Sequence, residues 1–517
     1  MKSFSEIFHS WHRLTNSRQL GNILFWILLS IVLAIVAYAP IRYHFVYPTY
    51  GDDAAYHITY LGNLKNNLAF IQKLPYYGYL LLLPFTYLGV KVITVYSIFN
   101  YAVIAFVFLA MWLLLKRFFG IASAVLGFVL SVFIARGMWQ FYYDGTIFNI
   151  FNLFVVGFLG VYSLCAWLES GNRKWLAVSG LLFAVSSLVH NTTYIYILCS
   201  MLTFLVAFGA IQAIRKDKVM QKRLFLFGLV FCVSFLCAWV TWLHDFVLKG
   251  VGHDMLNTVV QNTSSPLAPL NFTAWVKYSL SDTIKYLLVL AVILLGAVFF
   301  KGTIKEKRDL AARLIQPLSC ILLSFILVLG IGSFTKLGYV NFRVARDLQT
   351  FVGLGVGILL GLGLTYYKQW PRYLVLVVLI FVVTSGNYPW KNWLSDYTAV
   401  KPCDLAAIAY IDSISDNPIS VQLSDTIAPW IYQLYTNKNI SYDRVFDLTN
   451  ISSADYLLFR DKEMNNGSEK TYSTGFILKP TTMLSLDWRE VPIEYPLTKL
   501  AEFQSDNCTI TIYKIER

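Results

Sequence analysis

What most constrains this chain is its run of long apolar stretches, near residues 22–41, 94–115, 121–135, 146–168, 175–190, 193–214, 224–243, 283–300, 314–333, 350–367 and 372–388. Most are long enough to cross a hydrocarbon core of ~30 Å as helices, since backbone groups in lipid must bond within their own segment. The expectation is a polytopic α-helical membrane protein with about eleven transmembrane helices. A chain of 517 residues that is 57% hydrophobic and 14% charged excludes a disordered tail, a collagen-like fibre and a small disulfide scaffold.

The net charge of +13 would suggest nucleic acid as the partner of a soluble protein. Here the basic residues fall in short segments between apolar stretches: Arg13 and Arg18, Lys116 and Arg117, Arg173 and Lys174, Arg215 to Arg223, Lys301 to Arg313, then Lys368 and Arg372. Short basic loops mark the cytoplasmic side. A cytoplasmic N-terminus puts every cluster on that face, and an odd number of spans then puts the C-terminal portion outside, in a plasma membrane protein with lipids as neighbours and no nucleic acid. The first span follows about twenty polar residues without an A-x-A-like cleavage site, so it reads as a retained anchor. The segment 76–92 reads as a re-entrant or interfacial helix.

Composition changes sharply once, after Tyr388-Pro389-Trp390-Lys391. This divides the chain into a membrane part, 1–390, and an extracytoplasmic part, 391–517. In the latter, helix-like stretches (404–413, 425–435) alternate with short β-rich ones (418–422, 455–459, 497–503, 508–514), as in a small α/β domain. Five of the seven cysteines lie in spans; Cys403 and Cys508 lie in the outer part, where they either pair or stay free. Seven Asn-x-Ser/Thr tripeptides, at Asn191, Asn262, Asn271, Asn439, Asn450, Asn466 and Asn507, fall on predicted outer segments.

The spans are nearly free of charge, and the unusual polar residues gather at the predicted outer ends. The first outer loop reads Tyr50-Gly51-Asp52-Asp53-Ala54-Ala55-Tyr56-His57. Adjacent carboxylates and a histidine at a membrane surface suit a hard cation or proton removal from a hydroxyl, and equally a turn that starts a helix with an Asp as cap. The second outer loop, Ala135 to Thr146, places Asp144 among aromatics, as a cap, as a site acid, or as both. His190 ends the fifth stretch as a substrate-binding candidate or as a hydrogen-bonded interfacial histidine. His244-Asp245 and His253-Asp254 offer metal donors without the i, i+4 spacing of a helical zinc site. Arg343 and Arg346, in Asn341-Phe342-Arg343-Val344-Ala345-Arg346-Asp347, either grip phosphate or anchor the chain at the interface.

Two of these stretches resemble the glycosyltransferase C superfamily of membrane enzymes, which transfer sugars from polyprenyl-phosphate carriers. Asp52 to His57, continuing to Tyr60-Leu61, is similar to its first-loop acidic motif, and Arg136 to Asp144-Gly145 to the second acidic motif of oligosaccharyltransferase catalytic subunits. Pro75-Tyr76-Tyr77-Gly78-Tyr79-Leu80 with Tyr96 to Asn100 resembles a passage in protein mannosyltransferase-like members. The resemblance implies a hexosyltransferase-like enzyme using a polyprenyl-phosphate-linked donor and a protein, lipid or glycan acceptor. By it, Asp52 or Asp53 is the base or a metal ligand, and Asp144 a second ligand or the acid that orients the acceptor. By it too, Arg343 or Arg346 holds the carrier phosphate and a divalent metal (Mg or Mn) sits on Asp53 and Asp144; the residues themselves add His57 and His190 as substrate-site candidates and His244 as a further metal donor. No Trp-Trp-Asp triplet occurs, so an Asn-x-Ser/Thr acceptor is not implied. Without the resemblance, a polyprenyl-phosphate transporter or a non-catalytic envelope assembly protein fits the same features.

Overall fold

The computed structural model describes residues 18–42, 52–69, 77–135, 147–243, 282–334, 338–366, 402–414, 419–423, 440–444, 456–460, 464–465, 468–469, 497–505 and 508–515. Its helices are α1 (Arg18–Arg42), α2 (Asp52–Asn66), α3 (Val92–Phe119), α4 (Ile121–Ile134), α5 (Ile147–Ser170), α6 (Arg173–Val189) and α7 (Asn191–Ile214), followed by α8 (Lys218–Leu243), α9 (Asp282–Lys301), α10 (Ile304–Leu314), α11 (Pro317–Phe334), α12 (Gly338–Tyr366) and α13 (Pro402–Ser413). Among the described residues, six helices are long and apolar enough to cross a membrane, or seven if α10 and α11, which meet at a 51° bend, form one span. Each predicted stretch from 22–41 to 350–367 overlaps a helix, while 372–388 lies outside the described residues. α4 is short for a crossing: at ~1.5 Å per residue its 14 residues reach about 21 Å. The segment expected as one helix over 76–92 holds two short ones, a 3-10 helix Tyr77–Leu81 and an α-helix Leu83–Tyr87.

The breaks between helices fall where side-chain chemistry can satisfy freed backbone groups. Gly120, at φ 92, lets the chain reverse from α3 to α4. Gly171 closes α5 in the left-handed region, its N–H donating to Trp167 O at 2.7 Å. Asn172 then caps α6 by accepting from the Lys174 N–H. Thr303 and Glu306 form a reciprocal capping box that starts α10.

Ring pairs and close contacts give the helix directions. Tyr96 meets Phe148 near the starts of α3 and α5, and Arg117 pairs with Glu169 near their ends, so these helices run parallel. α4 runs back along α3, with Phe108 against Phe128. α12 is antiparallel to α4: Gly353, Gly357 and Gly361 lie successively against Leu130, Leu126 and Ser123. A Cβ on Gly357 would stand 2.5 Å from the Leu126 carbonyl oxygen, so hydrogen alone allows this approach. Small residues at four-residue spacing are how helices close up in lipid, where the hydrophobic effect does not drive them together. The starts of α3, α5 and α12 therefore share one end of the bundle with α2. α5 is the most enclosed of the span-length helices described, 83% of its apolar window being buried, against 28% for α8 and α9.

Among the described residues from 419 onward is a five-stranded sheet of order β2-β1-β3-β7-β6, from β1 (Ile419–Leu423), β2 (Ile440–Arg444), β3 (Tyr456–Arg460), β6 (Leu497–Ser505) and β7 (Cys508–Ile515), beside a small β4–β5 ladder (Met464–Asn465, Ser468–Glu469). β1 is parallel to β2 and β3, and β7 is antiparallel to β3 and β6. α13 packs on β6 and β7, with Tyr410 on Phe503. Cys403, in α13, is disulfide-bonded.

Candidate active site at the Asp52 end of the bundle

The acidic pair Asp52 and Asp53 forms the first two residues of α2. One turn on, His57 is buried, and its Nδ1 lies 2.8 Å from the Tyr79 hydroxyl. Tyr79 belongs to the tight turn Tyr77–Leu81, which reaches inward because residue 78 is glycine: a Cβ there would be 2.8 Å from both a Phe148 ring carbon and the Val189 carbonyl oxygen. Phe148 stands edge-on to His57 at 5.5 Å and to Tyr79 at 5.1 Å, and Tyr96 lies 5.7 Å from His57. The helix that begins at the acidic pair and the helix that begins three residues after Asp144 thus meet through His57 and Phe148.

One turn below Phe148, the Asn152 amide ties α5 to the α6–α7 junction. Its Nδ2 donates to Ser186 O (3.0 Å), His190 O (3.1 Å) and Thr193 Oγ1 (2.8 Å). His190 is extended between the two helices and caps α7, its Nδ1 lying 3.2 Å from Thr193 Oγ1 and accepting from the Thr193 N–H. At this level α5 widens into a π-helix over Phe151–Gly157, a local form found often at functional sites.

Arg346 and Asp347 lie on α12, buried at 5% and 1% exposure. They precede Phe351, which stacks on Phe325 and faces Phe154, by about one turn, roughly 6–8 Å nearer the Asp52 end. Buried ionisable groups within spans are costly and mark functional sites by default. Arg343 is one turn before Arg346 on the same helix. Asp144, Arg136 and His244 lie outside the described residues. Among the described residues, no three His, Cys, Asp or Glu side chains could share a metal ion.

Of the predicted site residues, His57 and His190 are thus brought to one end of the bundle as buried, hydrogen-bonded groups, with the acidic pair at the head of the helix that carries His57. Tyr79, Asn152 and Thr193 are partners that neither charge nor histidine marks in the sequence. The available signal was an amide inside an apolar stretch, which lipid tolerates only with a partner.

No protein family and no curated protein matches the sequence. Solved structures do overlap. The structure is similar to archaeal oligosaccharyltransferase AglB from Archaeoglobus fulgidus in complex with an inhibitory peptide and a dolichol-phosphate, at TM-score 0.44 and 11% identity over 84% of this chain and 69% of that one. It is also similar to ArnT from Cupriavidus metallidurans bound to undecaprenyl phosphate, at TM-score 0.48 and 11% identity over 96% of this chain and 98% of that one. The Archaeoglobus fulgidus oligosaccharyltransferase in complex with Zn and sulfate overlaps at TM-score 0.44 and 11% identity, over 83% and 67% of the two chains.

Proposed function

We propose that this protein is a membrane glycosyltransferase that moves a sugar or glycan from a polyprenyl-phosphate-linked donor to an acceptor at the extracytoplasmic face. The observation that supports it most is the contact of His57 with Phe148, which joins the helix headed by Asp52-Asp53 to the helix that follows Asp144. These are the two loops whose acidic motifs resemble those of lipid-linked sugar transferases.

In this reading Asp53 or Asp52 accepts the proton of an acceptor hydroxyl, whose oxygen attacks the anomeric carbon. The bond from that carbon to the carrier phosphate oxygen breaks, and the phosphate leaves with the electron pair. Phosphate is already a competent leaving group, so no general acid is needed. Arg346, with Arg343, stabilises the charge that develops on it, and Asp144 orients the acceptor. A single displacement inverts the anomeric centre. A divalent cation, Mg or Mn, held by Asp53 and Asp144 belongs to the same proposal, and chelation followed by readdition of either ion tests it. Residues 391–517 form the outer α/β domain, with Cys403 paired to Cys508, and residues 1–390 the membrane part.

Purified protein in lipid, given radiolabelled polyprenyl-phosphate and polyprenyl-diphosphate donors with an acceptor extract, is expected to release carrier and form a glycosylated product. Saturable movement of the carrier across the bilayer without any product would contradict the proposal and make the buried Arg346 and Asp347 parts of a transport path.

A further inference from the structure

Directly beneath the rings of Tyr96 and Phe148, three polar side chains are sealed inside the bundle with hydrogen-bonding capacity left over. Asn100 on α3 is fully buried, and neither its Oδ1 nor its Nδ2 has a hydrogen-bond partner among the described residues. Asn152 on α5 spends its Nδ2 on the α6–α7 junction, while its Oδ1 has no partner. Ser186 on α6 is fully buried; its carbonyl accepts from Asn152, and its own Oγ has no partner.

The three lie at one level of the bundle. Asn100 and Asn152 each lie one turn past a member of the Tyr96–Phe148 ring pair, on parallel helices, and are therefore at the same depth. Phe99 packs on both Phe148 and Phe151, which holds these helices together at that level. Ser186 is joined to Asn152 through its backbone carbonyl, at 3.0 Å from Asn152 Nδ2. The π-helical turn of α5 starts here.

We propose that Asn100, Asn152 and Ser186 form a subsite for the sugar of the lipid-linked donor, an inference that rests on the glycosyl-transfer reading. An amide buried in an apolar bundle with both ends unbonded is costly, and such groups persist where a ligand completes them. The chemistry selects the ligand. None of the three carries charge, so a phosphate gains no counter-charge here. Between them they offer both donors and acceptors, which matches sugar hydroxyls, each of which donates once and accepts twice. The flanking rings of Tyr96, Phe99, Phe148 and Phe151 present apolar faces suited to the C–H face of a pyranose. Tyr79 and Phe148 stand between this trio and the head of α2, so their rings must shift to admit a sugar, and the anomeric end then points back toward Asp52 and Asp53.

The test compares Asn100→Leu and Ser186→Ala with wild type, full length in lipid nanodiscs, using undecaprenyl phosphate and a set of undecaprenyl-phosphate-linked hexoses as probes. Wild type is expected to bind at least one linked hexose more tightly than the bare carrier. Asn100→Leu should lose about tenfold in affinity for that hexose donor, the worth of two neutral hydrogen bonds, keep its affinity for bare undecaprenyl phosphate, and melt no earlier than wild type. Ser186→Ala should show a smaller loss in the same direction. Unchanged hexose binding in both variants, equal loss of both probes, or a wild type that prefers no linked hexose would each overturn the subsite. A wild type that discriminates sugars this way but forms no product would end the transferase reading and leave the subsite standing. Product formation with unaltered variants would do the reverse.

Discussion

Asn152 offers the most quantitative test of how the site is held. Its Nδ2 reaches three acceptors at 2.8–3.1 Å, two of them backbone carbonyls on either side of the α6–α7 junction. With two N–H groups, the amide can make two full bonds and share a third. Interhelical hydrogen bonds in membrane bundles average about 0.6 kcal/mol and reach roughly 1.7, so Asn152→Leu should lose about 1–3 kcal/mol. Removal of the unpartnered Oδ1 returns about 1 kcal/mol. The net expectation is a loss of about 0–2 kcal/mol. Thr193 Oγ1 still reaches His190 O at 3.1 Å, which keeps the junction from opening fully. Asn152→Asp keeps Oδ1, replaces the donating Nδ2 with a second oxygen and buries a carboxylate against the carbonyls it once bonded, so it should be worse than Leu by several kcal/mol. Reversible unfolding in mixed micelles, followed by tryptophan fluorescence, gives both values. A Leu variant clearly more stable than wild type, or an Asp variant no worse than Leu, would refute the reasoning.

Three further outcomes follow from contacts at other places. Gly357→Val places methyl groups against the α4 backbone at Leu126 and Gly127, which cannot yield; overpacking should cost about 1–3 kcal/mol in the same unfolding assay, whereas Gly296→Ala, with open space around it, should be neutral. Tyr79→Phe removes the hydroxyl that bonds His57 and should cost about 1 kcal/mol of stability, while kcat falls and the donor KM stays, because His57 is on the helix headed by the proposed base. Arg346→Gln should weaken polyprenyl phosphate binding by about tenfold or more, as loss of a charge-assisted hydrogen bond implies; unchanged binding in equilibrium dialysis would remove Arg346 from the phosphate site.

The helical course of the chain could be read from the sequence because its apolar stretches are long, and several helix ends carry a local reason. Gly120, Gly171, Asn172 and Thr303 are residues whose own conformational or capping preference stops or starts a helix wherever the rest of the chain lies. The Gly353, Gly357, Gly361 spacing was equally legible as a close-packing face, although which helix it meets was not. The site was harder. Asp52-Asp53 and His57 stand out as a cluster of charge, but that His57 turns inward onto Tyr79 and Phe148 depends on contacts between residues 22 and 91 positions apart. Asn100 and Asn152 were visible as lone amides in apolar stretches, yet one is bonded three times over and the other has no partner among the described residues, a difference that only packing creates. The π-helical widening of α5 has no sequence signature that periodicity would detect.

The measurement closest to the central claim is the initial rate of sugar transfer together with donor affinity, for wild type, Asp52→Asn, Asp53→Asn and Asp144→Asn in lipid. Loss of a general base costs about 10²–10⁴ in rate. The account predicts a fall of that size in one of the two α2 variants and a marked fall in Asp144→Asn, with donor affinity retained in both. Wild-type turnover in all three variants would contradict it.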